Sequence, residues 1–277
     1  MALLRAMKRM DFRSRWVLVT GASSGLGREM ARLLAREHGA NLVIAARRRE
    51  RLEELEVELE TAAGVEVLPV AADLANLEDV DRVFQQATGG RELYAAILNA
   101  GVTHIGSHEA LEWDAFQRML DVNVRSVVRL STRLVPYLEK RAQGGGMMLV
   151  SSMAGLVPVA YQTAYSGTKA FLVNYGCALH HEMYGRNVSV TTFVPGGIQT
   201  EMTDGEDFGE LRGWLMPVDK VAREGVGALG ARRFLYAPGM SNRLSLAFAP
   251  FVPRRFLTGR IAATYRNALA KVKRQGG

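Results

Sequence analysis

The chain has 277 residues, 48% of them apolar, 23% charged and 8% aromatic. That composition excludes a disordered or collagen-like chain, and the length suits one large α/β domain that buries its own core. The formal charge is +7, but the excess is local: from Arg254 onward there are seven basic residues and no acid, which leaves 28 basic against 28 acidic residues in the rest.

A neutral body with a basic tail carries no basic stripe of the kind a nucleic acid needs, so no nucleic-acid partner is expected. One cysteine, Cys177, excludes an internal disulfide framework and fits a reducing compartment. Five histidines and one cysteine are poor material for zinc, and no metal is expected. Arg5, Lys8 and Arg9 interrupt any apolar run near Met1, and no stretch of about 18 apolar residues exists. A cytoplasmic protein without a membrane span is therefore expected.

Short apolar runs alternate with longer amphipathic ones, as in β-α units on a parallel sheet. Trp16–Thr20 reads as a first strand and Leu26–His38 as a helix. Asn41–Ala45 is a strand apolar on both faces, and Arg49–Ala63 a charged helix with Leu52, Leu55 and Leu59 on one side. Val65–Ala71 is a third strand, Leu77–Ala87 a helix and Leu93–Leu98 a fourth strand. A long helix over Trp113–Lys140, with Pro136 as a possible kink, precedes a fifth strand at Met147–Ser151. Ala164–Tyr184 is a helix, Val188–Val194 a sixth strand, Pro217–Leu229 a helix and Arg233–Ala237 a seventh strand. Right-handed crossovers make this a doubly wound parallel α/β sheet of about seven strands, a Rossmann fold, with helices on both faces and residues 1–277 in a single domain.

The turn Thr20-Gly21-Ala22-Ser23-Ser24-Gly25-Leu26-Gly27 follows the first strand and opens the first helix. Glycines there let an anionic pyrophosphate approach the helix N-terminus, where free N–H groups and the dipole favour it. Tyr165 and Lys169 stand four residues apart on one helix, so their side chains share a face. A free phenol titrates near about 10, and a neighbouring ammonium is expected to lower that value. The tyrosine then exchanges a proton with a carbonyl or alcohol oxygen. A hydroxyl just past the fifth strand, such as that of Ser152, can donate to the reacting oxygen. Ser151 reads instead as a strand-end hydroxyl bonded to backbone, and Tyr161 as a pocket wall.

Together these motifs resemble the short-chain dehydrogenase/reductase family over about residues 15–202. The resemblance implies a metal-free oxidoreductase with Asn123, Ser152, Tyr165 and Lys169 as catalytic residues, Asn123 holding a water in a proton relay. It implies cofactor contacts from Gly21, Ser23, Ser24, Gly25, Leu26 and Gly27. Asp73-Leu74 would meet the adenine, and Asn99-Ala100-Gly101 would support the sheet beside the cofactor. Pro195 and Gly196 would turn against the nicotinamide, Ile198 would bond the carboxamide, and Thr200 would lie near the phosphates. Lys169 would also hold the nicotinamide ribose. NAD enzymes of the family carry an acid where this chain has Ala46. Arg47, just after it, favours NADP(H) through its fork of donors, with Arg48 as a second candidate.

The implied substrate is a small carbonyl or alcohol, and the implied assembly a homodimer or homotetramer. Residues 201–216 fall where the family places a substrate lid. Phe208, Leu211, Trp214, Leu215 and Met216 there either meet a hydrophobic substrate or cap the core. The basic extension over residues 240–277 repeats Leu257, Ile261, Tyr265, Leu269 and Val272 at helical spacing. It either docks on the body or a neighbouring subunit, or makes peripheral contact with an anionic membrane. Binding of NADPH without turnover, as a redox sensor, and a membrane-associated scaffold are the alternatives to catalysis. Retention of Ser152, Tyr165 and Lys169 weighs against the sensor.

Overall fold

This computed structural model describes residues 7–201 and 215–275, with side chains except those of residues 250 and 268–275. Seven strands form one parallel sheet: β1 (Trp16–Thr20), β2 (Asn41–Ala46), β3 (Val67–Ala71), β4 (Leu93–Leu98), β5 (Gly146–Val150), β6 (Ser189–Phe193) and β7 (Leu235–Tyr236). Their spatial order is β3-β2-β1-β4-β5-β6-β7. The order reverses between β1 and β4, which opens a crevice at the carboxyl ends of those two strands.

Alternation along each strand divides the core. Val17 and Val19 of β1 face one layer with Leu42, Ile44, Ile97 and Phe193, and Leu18 faces the other with Val43, Ala96, Leu98 and Leu149. Helices α1 (Gly25–His38), α2 (Arg49–Ala63) and α7 (Val218–Gly230) cover the first face. Helices α3 (Leu77–Thr88), α5 (Ser126–Arg141) and α6 (Thr163–Glu182) cover the second. Leu52, Leu55 and Leu59 are the buried side of α2, as their spacing predicts.

The long helix expected over Trp113–Lys140 is interrupted, though not at Pro136, which lies inside α5. It divides into α4 (Trp113–Leu120) and α5 at a π turn, Asp121–Arg125, where the Ser126 N–H donates to the Asp121 carbonyl. Such wide turns collect at functional sites, and this one carries Asn123.

Beyond β7 the apolar segment Leu244–Val252 runs through α8 (Met240–Phe248) and a 3-10 turn (Ala249–Phe251) and ends on the extended Val252. Helix α9 (Arg254–Gln275) follows. Glu224 fixes the start of α8, since its carboxylate accepts from the Gly239 N–H, the Tyr236 hydroxyl and Arg243 Nη1. Helix α9 docks on the body: the Tyr265 hydroxyl donates to Gln162 Oε1 at 3.1 Å, and Arg266 Nε donates to the Tyr161 hydroxyl at 3.3 Å. No helix among the described residues is long and apolar enough to cross a membrane.

Candidate active site

The crevice is stitched at its base by Thr20 and Asn99. Asn99 Nδ2 donates to the Thr20 carbonyl at 3.0 Å, and the Asn99 and Ala100 N–H groups donate to Thr20 Oγ1 at 3.0 and 3.1 Å. This holds the ends of β1 and β4 side by side. The glycine turn then fits against them. Gly21 has φ of 69°, and a Cβ there would lie 2.9 Å from Ala100 Cα. A Cβ on Gly27 would collide with the Gly21 carbonyl.

Ser24 precedes α1 without capping it through its side chain, and the first turn holds no acid. The helix thus presents backbone N–H groups and a positive dipole end to the crevice. Thr200, on the loop after β6, comes so near that a Cβ on Gly25 would stand 3.2 Å from its Cγ2. Arg48 rather than Arg47 touches the turn: its guanidinium donates to Ser23 Oγ at 3.3 Å and pairs with Glu201 at 3.0 Å. Arg47 is exposed. Asp73 is held by Arg118, whose Nη2 lies 2.9 Å from both carboxylate oxygens. Partial burial pushes the Asp73 carboxyl up, but Arg118, the Ala75 N–H and the more distant Arg47 outweigh it, and the net direction is down.

At the carboxyl end of β5 the two serines divide as their sequence positions suggest. Ser151 Oγ donates to the Lys169 carbonyl at 2.7 Å. Ser152 Oγ accepts from the Ala154 N–H at 3.1 Å and interacts with the Tyr165 phenol. The Met153 N–H donates to the Pro195 carbonyl at 2.8 Å, which ties this loop to the Pro195-Gly196 turn. A bridge between Ile198 and Met216 holds the next segment. Of the expected lid, residues 202–214 lie outside the described residues.

Lys169 is 3% exposed. Its Nζ donates to the Val150 carbonyl at 3.0 Å and sits 5.6 Å from the centre of the Tyr165 ring. Burial pulls the ammonium down to about 8. The expectation that Lys169 lowers the phenol is corrected by the structure. Burial dominates and pushes Tyr165 up to about 12; the Ser152 hydroxyl opposes it and Tyr265 reinforces it.

Asn123 is fully buried. Its Nδ2 donates to the Val102 carbonyl at 2.9 Å and to Thr168 Oγ1 at 3.0 Å, and its Oδ1 accepts from the Val102 N–H at 2.8 Å. Both amide hydrogens are thus committed to protein partners, and the side chain acts as a brace between the loop after β4 and α6. Gly101 lies beside it, where a Cβ would be 3.3 Å from both Asn123 Oδ1 and Lys169 Nζ.

Tyr161 adopts a left-handed backbone with φ of 66°, unusual for an aromatic residue and a source of strain. Its carbonyl accepts from the Gly106 N–H at 2.9 Å, and Gln162 Nε2 donates to Thr103 Oγ1 at 3.2 Å. Tyr161, Gln162 and Tyr265 therefore form a wall beside Tyr165. The contribution of Tyr265 carries no local signal, since 103 residues separate it from Gln162. His104 and His108 stand four apart, on a loop and a 3-10 turn. No group of three or more His, Cys, Asp or Glu side chains among the described residues is arranged to hold a metal.

The family model described as short chain dehydrogenase matches residues 15–209. The chain belongs to the short-chain dehydrogenase/reductase family. An uncharacterized oxidoreductase of Myxococcus xanthus is 37% identical over 206 residues, spanning 73% of this chain and 78% of the relative. A hydroxysteroid 11-beta-dehydrogenase 1-like protein of Gallus gallus is 36% identical over 194 residues, 67% of this chain and 64% of that one. Among solved structures, a short-chain dehydrogenase from Sphingobium yanoikuyae in complex with NADPH superposes with a TM-score of 0.77 at 25% identity, covering 88% of this chain and 95% of that one. Other similar structures hold NADH or NAD.

The short-chain dehydrogenase/reductase described here is therefore an oxidoreductase. Its crevice has the shape and chemistry to take a dinucleotide of the kind those similar structures hold. The glycine turn leaves a cradle that side chains would fill, and the uncapped first turn of α1 offers donors to a diphosphate.

Proposed function

We propose that this enzyme interconverts a ketone and a secondary alcohol on a hydrophobic substrate, with NADP(H). The observation that carries the reading is the convergence of Ser152, Tyr165 and buried Lys169 at the carboxyl end of β5, one strand from the crevice.

Residues Gly21, Ser23, Ser24, Gly25, Leu26 and Gly27 hold the diphosphate, with Thr200 beside them. Asp73 and Leu74 flank the adenine, and Asn99, Ala100 and Gly101 back the crevice. Pro195, Gly196 and Ile198 line the nicotinamide side. A dinucleotide held by these residues would supply or accept the hydride. Ser152 Oγ donates to the substrate oxygen, and Tyr165 Oη transfers the proton. A phenol pushed up to about 12 retains its proton at neutral pH, which suits the reducing direction. Lys169, anchored on Val150, orients the tyrosine from beneath and offers its ammonium to the ribose hydroxyls. Asn123 positions α6 through Thr168.

NADP(H) is favoured over NAD(H) because β2 ends in buried Ala46, with no acid to repel a 2′-phosphate. Arg48 already stands on Ser23 of the turn, and Arg47 lies exposed beside it. A hydrophobic substrate is favoured by the tyrosine-lined wall and by the hydroxysteroid dehydrogenase-like relative. A homodimer or homotetramer through α5 and α6 belongs to the same reading, with exposed Phe171 stacked on Tyr175 of α6.

The test is consumption of NADPH and of NADH with a panel of bulky ketones, with Tyr165→Phe as control. The parent is expected to oxidise NADPH with at least one apolar ketone, and Tyr165→Phe to lose at least a hundredfold in kcat. Equal turnover by the two proteins removes Tyr165 as the proton donor.

A further inference from the structure

We propose that the outward surface of α8 and of the first turns of α9 docks on an anionic lipid bilayer. No acidic residue follows Glu224, whereas ten basic ones do. The charge of the last part of the chain is thus wholly one-sided, which attracts an anionic surface and repels a second copy of itself.

The apolar half of the surface is equally clear. Met240, Leu244 and Phe248, spaced by four along α8, are 64%, 51% and 63% exposed. Phe251 and Phe256 extend the row at 83% and 64%. This is an orientation fixed by packing. Leu246, on the other side of α8, packs against Val173, Val194 and Ala237. Asn242 Nδ2 donates to the Pro238 carbonyl at 2.8 Å, and Arg243 pairs with Glu224 at 2.9 Å. The inner face of α8 is occupied by the body, and the outer face is left with large apolar side chains.

Charge and apolar surface meet at the start of α9. Arg254 and Arg255 lie between Phe251 and Phe256. An open groove of about 440 Å³ is lined by Pro253, Arg255, Phe256, Gly259 and Arg260. Guanidinium forks beside an aromatic ring match a lipid phosphate above an acyl chain. Apolar side chains that enter the interface, flanked by arginines that stay with the headgroups, are the pattern of a peripheral anchor that lies on a membrane without crossing it. The inference stands apart from the redox reading. If both hold, Tyr265 and Arg266 on the same helix bring the mouth of the active site close to the bilayer that carries an apolar ketone.

The experiment is co-sedimentation of the full chain with phosphatidylcholine vesicles, with and without phosphatidylserine. Binding is expected only with phosphatidylserine and is expected to fall as salt rises. Reversing two charges with Arg254→Glu/Arg255→Glu should weaken it at least tenfold, as should Phe251→Ser/Phe256→Ser. These side chains are exposed, and NADPH binding with turnover of a water-soluble ketone should stay at the parent level, which separates failure here from failure of the proposed reaction. Absence of binding at low salt overturns the proposal, as does binding indifferent to both double substitutions. If the phenylalanine variant instead converts an oligomer to monomers, the surface is a contact between copies and the proposal is wrong.

Discussion

The Tyr265 hydroxyl donates to Gln162 Oε1, 3.1 Å away, and so fastens a helix near the end of the chain to the residue preceding α6. Gln162 is buried and stands three positions before Tyr165. Tyr265→Phe leaves its acceptor without a donor, a loss of about 1 kcal/mol. Tryptic cleavage after Arg260 and Arg266 should accelerate about fivefold. An unchanged cleavage rate would mean that the hydrogen bond does not hold α9 down.

Lys169 gives a pH signature. Its value is about 8 in the fold and 10.5 in a solvated lysine. Between these limits the unfolded chain binds more protons than the folded one, so this group makes the fold more stable as pH rises from 8 to 10.5. Below 8 both states are charged, and the buried ammonium costs up to about 3 kcal/mol. Lys169→Met should therefore match or exceed the parent in urea midpoint at pH 7 while losing turnover. Its advantage should shrink toward pH 10. A growing advantage with pH would contradict the sign.

Asn123 satisfies both backbone groups of Val102 and the Thr168 hydroxyl. Asn123→Leu strands buried polar atoms on two elements and should cost about 2–4 kcal/mol. Chemical denaturation reads this directly. A cost under about 1 kcal/mol would show that water replaces the amide.

Two glycines separate backbone strain from close approach. Gly21 and Gly90 both have positive φ, 69° and 73°, but only Gly21 faces a neighbour, Ala100, whereas nothing lies within 4 Å of a Cβ at Gly90. Gly90→Ala should cost about 1 kcal/mol from conformation alone. Gly21→Ala should cost about 2 kcal/mol or more and weaken NADPH binding over tenfold in a fluorescence titration. Equal effects at the two positions would exclude a cradle at Gly21.

The parts legible in the sequence are those written in local periodicity. β1, α2 and β4 have the bounds that their apolar patterns give. β5 begins at Gly146 and ends at Val150, one residue earlier than its apolar pattern gives, although the Ser151 N–H still donates to the Phe193 carbonyl. β3 starts at Val67 and β7 retains only Leu235–Tyr236, since strand ends depend on neighbours rather than composition. The apolar run after Gly239 is helical where hydropathy alone left it unassigned. Long-range relations had no local trace: Arg118 on Asp73, Arg48 on Ser23, and Tyr265 on Gln162. The Tyr-Lys spacing showed which side chains meet, but not that burial is the main influence on each of them. That influence is set by depth in the fold.

The wide turn at Asp121–Arg125 places one extra residue in what is otherwise a continuous rod, which shifts the angular phase of everything after it by about 100°. The upstream half can thereby aim Arg118 at Asp73 while the downstream half aims Arg129 and Arg133 at Asp81. A deletion of any single residue there would restore a uniform helix yet rotate one set of anchors away from its acceptor. The irregularity works as a gearing between two azimuths, and a smoother helix would be the less functional one.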